Sequence, residues 1–96
     1  MAKANNHDKR FEVIKVLVDA GKLHSVQAIF DIIPISTVGT AAGIHYSTLH
    51  KKIYNPGLFK LEECILLANL FNLTPQEFIN LLLNDMKNKR QKKSAG

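Results

Sequence analysis

The chain has 96 residues and a mass of 10.8 kDa, and 46% of it is apolar, which suits one compact domain with a modest core and excludes a two-domain enzyme. No apolar run approaches the roughly 20 residues needed to span a bilayer. The polar start (Lys3, Asn5, Asn6, Asp8, Lys9) has no apolar stretch of the signal-peptide kind behind it, so a cytoplasmic location without membrane association is expected. Cys64 is the one cysteine, which excludes an intramolecular disulfide and a cysteine-based zinc cluster and fits a reducing compartment.

The net charge of +5 sits mostly at the ends. Lys87, Lys89, Arg90, Lys92 and Lys93 crowd the last ten residues, whereas the body, 11–86, has five lysines against seven acids. Within that body the stretch 32–61 holds Lys51, Lys52 and Lys60 and no acid. A basic face on the folded part must therefore come from that stretch.

Residues 1–8 are expected to be a flexible arm. Phe11, Ile14, Leu17 and Val18 share a helical face closed by Gly21, which predicts a first helix over about 9–20. Ser25 is placed to cap a second helix carrying Val26, Ile29, Phe30 and Ile33, ended by Pro34. Ser36 is expected to cap a short third helix to Ala42, with Gly43 ending it. A fourth helix begins near Tyr46 and stops at the Asn55-Pro56-Gly57 turn signal. Leu61, Ile65 and Ala68, with Cys64 and Leu67, are expected to form the inner face of a fifth helix, and Cys64 to be a buried small hydrophobe.

The sixth start is marked by Thr74 as N-cap, Pro75 at the first helical position, Glu77 closing a capping box and Leu73 stapling to Phe78. Phe78, Ile79, Leu82, Leu83 and Met86 give it one broad apolar stripe to about residue 88, and Leu81 falls outside that stripe. The extra apolar surface suits either a homodimer contact or closure of a small core. The basic segment 87–96 is expected to lack order and to act as a solubilising tail or a phosphate-contacting arm. The predicted architecture is all-α, a compact bundle of five to six short helices.

The most informative segment runs from Ile35 to Ile53. Two helices that meet steeply need a small residue at their closest approach, a residue tolerant of positive φ at the turn, and apolar anchors on both helices. Gly39 and Gly43 supply the first two, and Val38, Ala42, Ile44, Leu49 and Ile53 supply the anchors. At these positions the chain resembles the phage Cro/repressor type of helix-turn-helix DNA-binding protein, and the resemblance extends through Leu58-Phe59 and Leu67-Ala68 to Met86. It departs from the pattern in two places. The small position, commonly Ala in that family, is Gly39, which is expected to accept Ala with a neutral or stabilising effect; and residues 9–33 do not match the family's usual first helix closely.

The resemblance implies a sequence-specific regulator of transcription that binds double-stranded DNA with a recognition helix at about 46–54, and neither catalysis nor a cofactor. It puts the DNA-reading residues on the outward face of the fourth helix: His45 and Tyr46 opening it, Ser47 and Thr48 in its first turn, His50 and Lys51 one turn on. Lys52 is expected near the flank, touching phosphate if anything, with Ser36, Thr37, Thr40 and Lys60 as further phosphate contacts. No Gln, Asn or Arg stands on this face before Asn55, so bidentate base readout is sparse. The plainer alternative is a corner between two helices of a bundle, with Tyr46 and Lys51 as ordinary solvated residues and Ser36, Thr37 and Thr40 as caps and surface positions. A rival from another class is a helical protein–protein adaptor that keeps the fold without binding DNA, with the exposed apolar residues of helices one and six as its contact surface.

Other chemistries find no support in the spacing. His45 and His50 are five apart and diverge on a helix, His24 is distant, and no Cys-x-x-Cys or His-Glu-x-x-His occurs, so no metal site is expected. A Gly-rich phosphate loop, a nucleophile elbow and a carboxylate pair on one face are equally lacking, and no small-molecule substrate is evident.

Overall fold

The structure is a computed structural model that describes the backbone of residues 9–95 and the side chains through Lys87. The expected arm, 1–8, lies outside the described residues. Among the described residues six α-helices and one 3-10 turn follow in order: α1 Lys9–Asp19, α2 Val26–Ile32, α3 Ile35–Ala42, α4 Tyr46–Tyr54, the turn Pro56–Leu58, α5 Leu61–Leu70 and α6 Pro75–Ala95. The fold is all-α, as the apolar spacing predicts.

α1 buries Phe11 and Ile14, and the Phe11 ring meets Phe71 edge-on with centroids 5.6 Å apart. It ends on Gly21 at φ 71, where Lys22 N–H donates to Leu17 C=O at 2.8 Å and Gly21 N–H to Val18 C=O at 3.0 Å. These two bonds satisfy carbonyls that the helix end would otherwise leave open. Ser25 caps α2 as expected, its Oγ accepting from Ala28 N–H at 3.0 Å.

The cap of α3 differs from expectation. Pro34, in extended geometry, is the N-cap residue, and its carbonyl accepts from Thr37 and Val38 N–H at 3.1 and 3.2 Å. The helix thus begins at Ile35, and Ser36 becomes an exposed residue of its first turn instead of its cap. Pro34 has a fixed φ that suits the cap position and no N–H to leave unsatisfied there.

The inner face of α5 consists of Cys64, Leu67 and Ala68, all buried, while Leu61 and Ile65 are exposed. Both sets fit a helical period. The phase is settled by Phe71, fully buried at the end of the helix, which belongs with Leu67 and Ala68 and not with Leu61 and Ile65.

α6 opens with the expected capping box: Thr74 N–H donates to Glu77 Oε1 at 2.8 Å and Glu77 N–H to Thr74 Oγ1 at 3.1 Å. Its buried stripe is Phe78, Leu81, Leu82 and Asp85, so Leu81 belongs to the core, and Leu83 and Met86 are exposed. The rotation of the helix is fixed by two polar contacts. Asp85 Oδ2 accepts from Val26 N–H at 2.9 Å and Asn84 Nδ2 donates to His24 C=O at 2.8 Å, docking α6 on the start of α2.

The backbone of the basic segment continues α6 to Ala95, past the expected end near residue 88. Extending an existing helix adds one hydrogen bond per residue fixed, and Lys, Arg and Gln are good helix formers. Side chains beyond Lys87 lie outside the described residues.

α6 packs on α5, α2 and the 3-10 turn, and α4 rests on α3, α2 and the same turn. This arrangement holds α4 chiefly by its inner side.

Candidate nucleic-acid interface

The geometry around α4 starts from two glycines. Gly43 adopts φ 73 and ψ 30, and Ile44 N–H donates to Gly39 C=O at 2.9 Å, closing α3 in a left-handed turn. A β-carbon on Gly43 would meet nothing within 4 Å, so glycine is favoured there by backbone conformation and not by space.

Gly39 is required by space. A β-carbon on it would lie 2.7 Å from the Ile44 carbonyl oxygen. The expected tolerance of Gly39→Ala is therefore overturned: the chain doubles back so closely that the turn's own backbone occupies the place of a methyl group.

Ile44 is half-buried against the core, and Leu49 and Ile53 are buried beneath α4. At 100° per residue these anchors leave the opposite side of the helix to solvent. Ser47 and Lys51 occupy the middle of that outward side, and both are exposed. Thr48, also exposed, borders it toward the 3-10 turn, where a shallow depression is lined by Ser47, Thr48, Lys51, Lys52, Leu58 and Lys60. His45, exposed, is the N-cap residue and makes no side-chain capping bond.

On the other border Tyr46 and His50 stack with ring centroids 5.8 Å apart and planes at 27°, and His50 meets Tyr54 at 4.9 Å and 51°. The three rings form an exposed ladder along α4. Tyr54 was not among the residues expected to matter, although its spacing of four from His50 was the available signal. A second open depression between α3 and α4 is lined by Ser36, Gly39, Thr40, His45 and Tyr46. Ser36 and Thr40 therefore face the same groove as the start of α4, while Thr37 is half-buried and takes no part in lining it.

Lys52, at the flank of this face, is already engaged by an acid of the fold. Its ammonium grips the Glu63 carboxylate at 2.6 and 2.7 Å, and the two side chains are only 13% and 18% exposed. Burial pushes the Glu63 carboxyl up, but the Lys52 ammonium and the bond donated by Lys60 N–H at 2.8 Å outweigh it and hold the group below the usual carboxylate range. An acid from α5 thus neutralises one of the three lysines of the acid-free stretch. Lys51 and Lys60 remain as its exposed cations. The Lys51 carbonyl accepts from Asn55 Nδ2 at 2.9 Å, which secures the end of α4.

Among the described residues no group of three or more His, Cys, Asp or Glu side chains is placed to hold a metal ion, and no helix is long and apolar enough to cross a membrane. Cys64 is buried, and burial, with the neighbouring Glu63 charge, raises its thiol pKa, which makes it a poor nucleophile. Compared with protein-family models, with curated proteins and with solved structures, the chain matches none.

Proposed function

We propose that the chain is a double-stranded-DNA-binding regulator of transcription of the helix-turn-helix kind, with α3 and α4 as the paired helices and α4 as the helix that enters the major groove. The observation that carries this reading is the composition of the outward side of α4. Hydroxyl, aromatic and ammonium groups project from a helix whose apolar anchors lie behind it, and α3, the turn and α4 contain no acid. Ser47 and Thr48 suit base edges of either type, and Lys51 suits guanine or phosphate. Lys60, across the depression from Thr48, and Ser36 and Thr40, on the α3 side, are set where a phosphate backbone flanking the groove would pass. The reading needs no cofactor and no catalytic step.

Selection of bound sequences from a random duplex pool tests it. Enrichment of a short common sequence supports specific recognition, and a bound pool identical to the input counts against it.

The buried position of Leu81 removes it from any contact between copies. We propose instead that a homodimer forms through exposed apolar residues that follow α4, among them Leu58, Leu61 and Ile65. The second reading, a protein–protein adaptor, is favoured by the exposed apolar residues of α1 and α6, among them Val16 and Leu83. Sedimentation with and without duplex separates the two, since an adaptor's assembly is indifferent to DNA.

A further inference from the structure

We infer that the Tyr46–His50–Tyr54 ladder is a reader of thymine methyl groups, so that the duplex bound by α4 carries thymine against this border of the helix. The inference rests on the DNA-binding reading above and deepens it by naming the base chemistry that the face selects.

The ladder spans eight residue steps, roughly 12 Å along α4 at 1.5 Å per residue, comparable with three or four base-pair steps. Its end rings, Tyr46 and Tyr54, are 55% and 50% exposed, so half of a large aromatic surface has no covering within the fold. His50 stacks on Tyr46 and meets Tyr54 at a tilt, and these ring contacts restrict the side chains before any ligand arrives, which lowers the entropy lost on binding.

The major groove offers hydrogen-bonding edges on every base pair and one apolar group, the C5-methyl of thymine. The edges of guanine and adenine are best matched by two-pronged donors and acceptors, Arg, Asn or Gln, and α4 has none of these from Tyr46 to Tyr54. Its one exposed cation, Lys51, is a point charge that cannot form a fork. What the border does present is ring edges and faces, whose apolar counterpart in the groove is the methyl. The Tyr46 hydroxyl at its ring tip can bond thymine O4 or phosphate, so burying that ring does not strand a polar group.

Deoxyuridine, which pairs like thymidine but lacks the methyl, isolates this contact. Duplexes recovered from a random pool are resynthesised with deoxyuridine at one thymine at a time, and dissociation constants are measured at one salt concentration. Expected is about fourfold weaker binding for each methyl buried against the ladder, the loss corresponding to about 0.8 kcal/mol per buried carbon. Tyr46→Ala and His50→Ala, both at exposed positions, should bring the thymine-to-uracil ratio toward one, and Tyr46→Phe should keep it. Lys51→Ala should weaken binding to both duplexes and leave the ratio in place.

Tight binding with equal affinity for thymine and uracil duplexes overturns the inference and leaves the DNA-binding reading standing. Failure to bind any duplex overturns both. Tighter binding of single strands than of duplex, lost in Tyr46→Ala, also overturns it, since the ladder would then be a stacking platform for unpaired bases.

Discussion

The carbonyl oxygen of Ile44 occupies the space beside Gly39 so closely that a β-carbon there would approach it to 2.7 Å. Four residues on, Gly43 holds φ 73 with open space around it. Two glycines in one turn thus answer to different constraints, close approach in one case and backbone conformation in the other.

Gly39→Ala should lower stability by about 1–3 kcal/mol, because its methyl can be admitted only by moving backbone at the turn. The gain in helix propensity, about 1 kcal/mol at most, does not offset this. Equilibrium denaturation beside the parent checks it, and a variant as stable as the parent would show that α3 and α4 can part at no cost.

Gly43→Val should cost about 1–3 kcal/mol through backbone strain alone. Gly43→Asn should cost about 1 kcal/mol or less, because Asn tolerates the left-handed region. The chain contains its own precedent: Asn72 closes α5 at φ 60, with Leu73 N–H donating to Ala68 C=O at 2.8 Å. Thermal melts of the two variants give the ordering directly.

Lys52→Ala leaves the largely buried Glu63 carboxylate without its ammonium partner and should destabilise the fold by about 1–3 kcal/mol. Glu63 has a folded pKa below its ordinary value of 4.5, so its contribution is fully present above that pH and is lost as pH falls through the folded value. Acid melts of the parent should show this loss, and Lys52→Ala should show less of it.

Asp85 gives the opposite sign. Burial raises its pKa above the ordinary 3.8, only partly offset by bonds from Val26 and Gln27 N–H and from the Ser25 side chain. Ionisation is therefore less favourable folded than unfolded, and this group's contribution declines as pH rises from its unfolded to its folded pKa. Asp85→Asn keeps an acceptor for the start of α2 and should remove that decline. Asp85→Ala leaves Val26 N–H without this acceptor and should cost about 1–3 kcal/mol. Melting temperature against pH for the parent and both variants resolves the three cases.

Boundaries governed by local chemistry were legible in the sequence. Ser25, the Thr74–Glu77 box, Gly21 and Gly43 act through neighbours within a few residues, and each stands where its spacing predicted. What the sequence left open was set by partners far along the chain. The rotation of α6 depends on Asp85 reaching Val26, 59 residues away, so Leu81 and Met86 exchanged places relative to the apolar count. The rotation of α5 has a similar cause, with Leu61 and Ile65 matching the helical period as well as the residues that are buried. In the candidate site, the outward residues of α4 followed from its anchors Leu49 and Ile53. Glu63 did not, because nothing in the spacing of α4 and α5 signals that an acid of one helix reaches a lysine of the other. Space at Gly39 was also illegible, since a family's usual residue says nothing of how tightly this turn closes.

The measurement that tests DNA binding through α4 most directly is duplex affinity as a function of salt for the parent, Lys51→Ala and Lys52→Ala. For the parent, the logarithm of the association constant should fall linearly with the logarithm of salt concentration. The slope should become shallower by about one unit in Lys51→Ala if that ammonium meets a phosphate, and stay as in the parent for folded Lys52→Ala, whose ammonium is committed to Glu63. A parent affinity independent of salt, or a slope that changes with Lys52 and not with Lys51, would contradict the account.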